Sequence, residues 1–563
     1  MPDIEHFEEL ARLWLQQDPD PITAQELSEL KSKAEAGDEE SYAAIADMFC
    51  GRLTFGTAGI RGPLGAGPRA MNRVVVTQTT AGLAQFLVGR YNPPSHSPRV
   101  IVGYDARKNS AVFARDTAEV LAGHGIEVFL TPEEVPTPIV AFAVRHLSCD
   151  AGVMITASHN PPQDNGYKVY LGGENEGSQI IPPMDADIES EIETIAAKLS
   201  FDDIPRSNAL IRSTPADLVE TYISRTVCAV SPVDNPDSSP IFVYTPMHGV
   251  GGQVFLSAVE QAGFTAPVTV REQFEPDSDF PTVAFPNPEE PGALDLSYTK
   301  ARAVDADLVI AHDPDADRLA VAVPDSTRYE GFRALTGNQV GAILGWHLAE
   351  RARHHGRSGT LANSLVSSPV LGKIAMHFGL PHQETLTGFK YVSRIENLIF
   401  GFEEALGYLV TPEVVKDKDG ISAGLLVMSL AISLSKQRKT LTDYLHEIEN
   451  QVGAFASSQV TVYLKNGVAG STITNALRER SITTIGSRLV VRKDDFFEGV
   501  GQYPTEDILR FYLDDGTRVI ARPSGTEPKV KVYIDTEGTS SAQARSRVAE
   551  VESDIDDLIS ALE

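Results

Sequence analysis

Apolar residues recur along this chain in two rhythms. Through residues 1–48 they stand three or four apart, as Phe7, Leu10 and Trp14 do and then Leu27 and Leu30, which predicts an N-terminal helical extension. Beyond it, short unbroken apolar runs alternate with longer mixed stretches. Residues 99–104 (RVIVGY) read as a strand, 113–124 as a helix and 127–130 as a second strand, which together make a parallel βαβ unit. The rhythm returns at strand 151–155, at strand 241–244 with helix 254–263, and at strand 307–311. It returns again at strand 361–364, with a helix near 369–378, and at the apolar residues 398–400. The tail reads as strand 460–464, a helix, strands 489–492, 519–521 and 530–534, and a final helix 542–562, an α+β pattern. Polar or proline-rich stretches at 202–215, 325–336 and 450–458 are the expected linkers. No tight sequence repeat is present, but the rhythm predicts two or three related α/β domains.

Several of these apolar strands end in loops dense in Gly, Asp or Pro, and sites in open α/β sheets form at the carboxyl ends of strands. The run 151–155 enters TASHNPPQDNGYKVY, where Ser158 has His159 beside it and Lys168 ten residues on. A serine carries a covalent intermediate when a neighbour activates it, and His159 and Lys168 are the candidate helpers; a polar turn with a capping serine is the equal alternative for this loop alone. There is no G-x-S-x-G elbow to point to hydrolase chemistry. In DPDADR, the carboxylates of Asp313, Asp315 and Asp317 stand at i, i+2 and i+4, on one side of an extended segment, and suit Mg²⁺. An EF-hand is excluded, since its sixth and twelfth positions are Arg318 and Pro324 rather than Gly and Glu.

FGTAGIRGPLGAGPRAM (55–71) is glycine-rich with Arg61 and Arg69, but it lacks the nucleotide P-loop spacing. GFEEALGY holds Glu403 and Glu404 on a Gly-flanked loop, suited to pairs of vicinal sugar hydroxyls; taken alone, an ordinary acidic surface turn is the better reading. RPSGTEPK sets Arg522, Ser524, Gly525, Thr526 and Lys529 within eight residues, either a phosphate cradle or a basic turn between strands.

Composition narrows the picture. A chain of 563 residues that is 42% hydrophobic suggests about three or four domains with sizeable cores. Its net charge of −29 disfavours nucleic acid and anionic membranes as partners, and requires locally basic pockets for an anionic substrate. Cys50, Cys149 and Cys228 are odd in number and far apart, so neither a disulfide frame nor a zinc site is expected. The acidic N-terminus has no signal-peptide pattern, and the longest uncharged apolar run, 421–435, falls short of the about 20 residues that span a bilayer. A cytoplasmic protein is the expectation.

Taken in order, FGTAGIRG, TASHNPPQDNGYKVY, DPDADR, TGFKYV (387–392), GFEEALGY and RPSGTEPK resemble one family, the α-D-phosphohexomutases, over about residues 50–535. The long FGTAGIRGPLGAG form and the paired acids of GFEEALGY look most like the branch that contains phosphoglucomutase-2 and phosphopentomutase type proteins. The resemblance implies four domains around a central cleft, three related α/β domains and a C-terminal α+β domain. The expected bounds are 49–214 with the phosphoserine loop, 215–328 with the metal loop, 329–453 with the sugar loop and 454–563 with the phosphate loop, after the extension 1–48.

The resemblance also implies roles. Ser158 is the phosphoserine and, with Asp313, Asp315 and Asp317, a ligand of Mg²⁺. His159 and Lys168 serve as acid/base and charge-stabilising groups, and Arg61 and Arg318 stabilise the moving phosphoryl. Glu403, Glu404, the Ala405 position and Lys390 face the sugar. Arg522, Ser524, Gly525, Thr526 and Lys529 grip the phosphate that is not transferred. The implied reaction moves a phosphoryl group between the 1- and 6-positions of glucose or mannose phosphate through a sugar 1,6-bisphosphate; the alternative is the 1- and 5-positions of a pentose. The expected partners are small phosphosugars, with the chain a monomer or homodimer. Many hexomutases carry Ser where this chain has Ala405, which keeps the pentose open. A Mg²⁺-dependent phosphatase and a non-catalytic sugar-phosphate sensor are the competing classes, but the first needs no distal cradle and the second needs neither the serine nor the acids.

Overall fold

Fully apolar runs need burial on both faces, and here they become the central strands of three sheets that share one strand order. The computed structural model describes residues 4–56, 59–90, 97–231, 240–463, 470–480, 482–501, 503–523 and 529–560. In the first sheet, β1 (Ile60–Pro63), β2 (Arg99–Tyr104), β3 (Glu127–Leu130), β4 (Ala151–Ile155), β5 (Asp164–Leu171), β6 (Ser178–Gln179) and β7 (Ile211–Ser213) lie in the order β1-β5-β4-β2-β3-β7, with β6 on β5. The second holds β8 (Phe242–Thr245), β9 (Val268–Thr269), β10 (Leu308–His312), β11 (Leu319–Pro324) and β12 (Phe332–Ala334) as β12-β11-β10-β8-β9. The third, β13 (Thr360–Ser364), β14 (His382–Thr385), β15 (Leu398–Glu403) and β16 (Gly407–Leu409), is ordered β14-β13-β15-β16.

Each sheet thus contains β3-β2-β4-β5 or its counterpart, β9-β8-β10-β11 or β14-β13-β15-β16. The first three strands of each set are parallel. In the first two sheets the fourth strand returns antiparallel, as β5 on β4 and β11 on β10. The turn between third and fourth strands therefore occupies the same place in every sheet. Those turns are the Ser158 loop, the Asp313–Asp317 loop and the Glu404–Leu406 loop.

The fourth sheet is antiparallel throughout: β17 (Ala454–Tyr463), β18 (Thr484–Ile485), β19 (Arg488–Asp495), β20 (Leu509–Leu513), β21 (Arg518–Pro523) and β22 (Lys529–Gly538), in the order β17-β22-β21-β20-β19-β18. Helices Gly470–Glu479 and Ser541–Ser560 pack with it around Leu509, Val519, Val532 and Val551, giving the expected α+β domain.

Contacts divide the chain into two units. Met1–Ala334 with Leu409–Ile432 form one, and Leu335–Tyr408 with Ser433–Glu563 the other. In the first unit, Leu409–Ile432, which lies inside the expected third domain, joins the second sheet's side: helix Gly420–Lys436 begins where His312 on β10 meets the Gly420 carbonyl at 2.9 Å, and Gly424 lies against Phe255 and His312. In the second unit, Leu365, Val366 and Leu386 share a core with Phe496, Ile508, Ile520 and Tyr533, so the third and fourth sheets are cemented together.

Several expectations need correction. The N-terminal helices Ile4–Gln17, Pro21–Glu35 and Glu39–Phe49 are not an appendage: Phe7, Ala11, Trp14, Leu27 and Ile45 sit in the same core as the first sheet. The expected linkers are edge elements. Residues 202–215 contain β7, 325–336 contain β12, and 450–458 are the end of helix Leu441–Val452 and the start of β17, joined by Gly453 at φ 96°. Edge strands are short or polar because one side lacks a partner, which makes them read as linkers. Strand β20, central and buried, was not anticipated. Among the described residues, no single helix is long and apolar enough to cross a membrane.

Because Trp14 is 7% exposed within the first core, Trp14→Ala is expected to destabilise the first unit by about 3–5 kcal/mol. Chemical denaturation with an unchanged midpoint would show the helices to be dispensable to that core.

Candidate active site

The serine loop is entered from β4, every residue of which is buried. The Thr156 Oγ1 accepts a hydrogen bond from the Ser158 amide at 2.8 Å, and Ser158 itself adopts φ 53°, a left-handed conformation seldom used by non-glycine residues. Its hydroxyl, 2% exposed, donates to Asp313 Oδ2 at 2.8 Å and lies 3.2 Å from His159 Nδ1. Lys168 is not in the loop but on β5, in register with Met154 of β4. Strand alternation there sends its ammonium to Asp315 Oδ2 at 2.6 Å and Asp317 Oδ2 at 2.9 Å.

The three aspartates converge differently from the sequence expectation. Residues 313–317 are a tight turn between β10 and β11, with Ala316 at φ 54°, and not an extended segment. The turn, rather than strand alternation, gathers the carboxylates. Two glycines let other backbone press on it: a Cβ on Gly249 would meet the Pro314 carbonyl oxygen at 2.3 Å, and one on Gly420 the Arg318 carbonyl oxygen at 2.3 Å. Asp313 Oδ1 accepts from the Arg318 amide at 3.0 Å, and Asp315 Oδ2 from Thr137 Oγ1 at 2.5 Å.

One oxygen of each aspartate lies within 4.8 Å of the others, all three residues are buried, and Asp315 Oδ1 and Asp317 Oδ1 have no hydrogen-bond partner. Buried carboxylate oxygens that make no hydrogen bond fit a divalent cation that takes hard ligands.

Electrostatics follow from burial. Desolvation raises the Asp313 carboxyl well above its usual value, and the charges of Asp315 and Asp317 push it further. Burial would raise Asp317 too, but Lys168, Lys418 and Arg318 hold it below the ordinary range; for Asp315, Lys168 and Thr137 do the same. Burial acts to lower the Lys168 ammonium, yet the two aspartates keep it above the lysine norm, so it is a fixed cation. The His159 ring is driven well below its usual value by burial and by Arg318 and Arg61, so it is neutral. Arg61 reaches the loop through Asn160 Oδ1 at 2.9 Å.

The first unit therefore brings together Ser158, His159, Lys168, Arg61, Arg318 and the three aspartates. Lys418 belongs with them and was missed: its Nζ lies 3.4 Å from Asp317 Oδ2 and 3.3 Å from Asp417 Oδ1. Asp417 in turn accepts from the buried Tyr170 hydroxyl at 3.1 Å. The VVKDKDG stretch carries no motif; its Gly420, where a Cβ would meet the Arg318 carbonyl, is the one local signal of close packing there.

In the second unit, Glu403 ends β15, and Glu404, Ala405 and Leu406 (φ 62°) form the turn. The Glu404 Oε2 accepts from Ser364 Oγ at 3.1 Å and Ser367 Oγ at 2.8 Å, and its amide donates to Ser367 Oγ at 3.0 Å. Gly337 is indispensable to this packing, since a Cβ there would meet the Glu404 carbonyl oxygen at 1.8 Å. Lys390 lies on helix Phe389–Val392, its Nζ 5.0 Å from the Tyr391 ring centroid. Arg522 at the end of β21 and Lys529 at the start of β22 flank the RPSGTEPK turn; Ser524, Gly525 and Thr526 lie outside the described residues. Burial and then the Glu404 charge raise the Tyr533 phenol against the pull of Arg522, so this tyrosine faces both loops.

Comparison with known proteins agrees with this arrangement. The α/β/α domains I, II and III of phosphoglucomutase/phosphomannomutase match residues 52–199, 220–326 and 336–452, and the C-terminal domain matches 475–553. A probable phosphomannomutase of Haemophilus influenzae is 47% identical over 480 residues, covering 85% of this chain and 96% of that protein. The chain belongs to the phosphoglucomutase/phosphomannomutase family. As such it is an intramolecular phosphotransferase, a phosphosugar mutase. Similar relatives also include a phosphopentomutase of Homo sapiens (34% identity, 98% of this chain, 94% of that protein) and a phosphoglucomutase of Staphylococcus epidermidis (34%, 86% and 90%). The fold is shared with a putative phosphomannomutase from Thermus thermophilus at TM-score 0.67 and 23% identity, covering 90% of this chain and 99% of that one. It is shared too with parafusin from Paramecium at 0.69 and 18%, covering 91% and 96%.

A divalent cation at 100 times its dissociation constant is expected to stabilise the protein by about 2.7 kcal/mol, seen as a raised thermal midpoint that chelation reverses. Asp315→Asn should lose most of that stabilisation. An equal shift in wild type and variant would place the cation elsewhere.

Proposed function

We propose that the mutase interconverts hexose 1- and 6-phosphates, glucose or mannose, with Ser158 as the phosphoryl carrier. The observation that carries the reading is the Ser158 hydroxyl set 2.8 Å from Asp313, beside a pair of aspartates that Lys168 bonds at 2.6 and 2.9 Å. Ser158 with Asp313, Asp315 and Asp317 would hold Mg²⁺, which when bound offsets charge on the phosphoryl oxygens. The rest is work for side chains. The phosphoserine P–Oγ bond breaks as the sugar's free hydroxyl oxygen bonds to phosphorus; the proton of that hydroxyl passes to the freed Ser158 Oγ, and a 1,6-bisphosphate results. That intermediate turns, and the other phosphoryl returns to Ser158.

Phosphoryl transfer is mostly positioning and charge neutralisation. Arg61, Arg318 and the fixed ammonium of Lys168 supply cations. The ring of His159, its Nδ1 3.2 Å from the Ser158 hydroxyl, is suited to orient that hydroxyl and to relay its proton. Glu403 and Glu404 are suited to vicinal hydroxyls, with Lys390 near them. Arg522 and Lys529, with Ser524, Gly525 and Thr526, are suited to the phosphate that stays put. One cradle for either phosphate lets one site serve both orientations.

A pentose 1- to 5-phosphate reaction is the second reading. It is favoured by Ala405, which removes a sugar-binding hydroxyl, and by the 34% identity to human phosphopentomutase over 98% of this chain. A site lacking that hydroxyl leaves no polar group unpaired when a smaller sugar enters.

Ser158→Ala is expected to lower turnover by at least about a thousandfold; near-normal turnover would remove the carrier assignment. Arg522→Ala should weaken every sugar phosphate by roughly ten- to hundredfold, the worth of one charge-assisted bond; an effect on one sugar only would move Arg522 to the sugar ring. A panel of glucose, mannose and ribose 1-phosphates, run with wild type and Ala405→Ser, decides the substrate. Turnover of ribose 1-phosphate alone selects the second reading.

A further inference from the structure

The serine loop is held from behind by a residue that no motif picked out. Arg107, 4% exposed, sits three residues past the end of β2. Its Nη2 donates to the carbonyl oxygens of Ser158 and Asn160, both at 2.6 Å, and its Nη1 to those of Pro161 at 2.8 Å and Asp164 at 3.1 Å. Four carbonyls of one loop thus converge on a single guanidinium. The guanidinium is itself fixed: Nε lies 3.5 Å from Asp105 Oδ2, and the Phe280 ring lies beneath it at 5.1 Å. Asp105 is anchored by the Arg107 amide at 3.0 Å and the Ser110 hydroxyl at 2.7 Å, and its carboxylate is also bonded by the Thr156 hydroxyl that accepts from the Ser158 amide.

We propose that Arg107 is a positioning residue for phosphoryl transfer: its guanidinium fixes the backbone of residues 158–164 and so aims the Ser158 hydroxyl. The proposal rests on the reading of Ser158 as the carrier. Its physical basis is the left-handed conformation of Ser158 at φ 53°, which a serine does not keep unless its surroundings impose it. Arg107 and Thr156 impose it from the two sides of the same residue, through the Ser158 carbonyl and the Ser158 amide. The carbonyl dipoles of the loop are also spent on the guanidinium instead of being left to repel a phosphoryl dianion on Ser158. Arg107 is distinct from the cations that would meet the phosphoryl group itself, because its four Nη bonds all run to the backbone.

A lysine keeps the charge but presents its donors from one point and cannot span four carbonyls. Arg107→Lys is therefore expected to lower kcat about a hundredfold, the effect of a reacting group misplaced by about 1 Å, while KM for the sugar phosphate stays within about twofold. The variant should remain folded by circular dichroism. A kcat close to wild type, or a raised KM with kcat retained, overturns the proposal. Should Arg107→Lys not fold, Phe280→Leu removes only the ring beneath the guanidinium; it should lower kcat about three- to tenfold with KM unchanged, and an unchanged kcat overturns the proposal equally. Intact mass of the wild type, before and after incubation with glucose 1,6-bisphosphate, separates the two levels: a wild type that never takes phosphate on Ser158 removes the carrier reading, and the positioning role with it.

Discussion

The ammonium of Lys168, bonded to both Asp315 and Asp317 in a buried site, is the interaction on which the aspartate cluster of the first unit depends. Three carboxylates folded into one turn repel one another and resist leaving water. Removing one partner from a buried pair costs about 3–5 kcal/mol. Lys168 reaches them only because the β4–β5 hairpin pairs Met154 with Lys168. A slip of one residue in that register would turn Lys168 to the other face of the sheet and Tyr167 or Val169 toward the acids. The register of one hairpin, the charge of one lysine and the shape of the metal turn are thus a single constraint. That lysine satisfies one oxygen of each of two aspartates and leaves Asp315 Oδ1 and Asp317 Oδ1 without hydrogen bonds, which is what suits the cluster to a cation.

The repeated strand order explains how one architecture places different chemistry at equivalent positions. Each of the first three sheets sets three parallel strands beside a fourth, and the turn between third and fourth carries a serine, an aspartate cluster or Glu404 beside Glu403. The rigid part is the apolar strand leading in; the variable part is a loop a few residues long. The fourth sheet follows different rules, being antiparallel, and in the second unit it shares a core with the third. Buried ion pairs reinforce that junction: Glu384 on β14 bonds Arg510 on β20 at 3.1 Å and Arg518 on β21 at 2.9 Å. Arg518 also bonds the carbonyl of Ser367, whose hydroxyl holds Glu404. The Glu404 loop is consequently braced by the C-terminal domain.

What was legible in the sequence was local. An apolar strand followed by Gly, Asp or Pro announces a shaped loop, so the loops that hold Ser158, the three aspartates, Glu403 and Arg522 were legible as loops, and their order along the chain pointed to the family. What was not legible depends on partners far along the chain. Lys418 went unread because nothing in VVKDKDG says that Asp317 lies 3.4 Å away. Arg107 belongs to no motif, since its partners are carbonyls more than fifty residues on. Ser364 and Ser367 gave no signal, because a hydroxyl at the end of a strand becomes a carboxylate clamp only when another strand brings Glu404 to it. Short polar edge strands such as β7 and β12 read as linkers for a different reason: their stability comes from one neighbour's backbone, which no side-chain pattern records.

The central claim is that Ser158 carries the phosphoryl group in turnover. The most direct measurement loads the protein with labelled phosphate from a sugar bisphosphate, maps the label by peptide mass, and chases with unlabelled glucose 1-phosphate in a quenched-flow experiment. The account predicts label on the peptide that contains Ser158, lost to the sugar at a rate no slower than kcat. Label on any other residue, or label on Ser158 that leaves more slowly than the enzyme turns over, would contradict it.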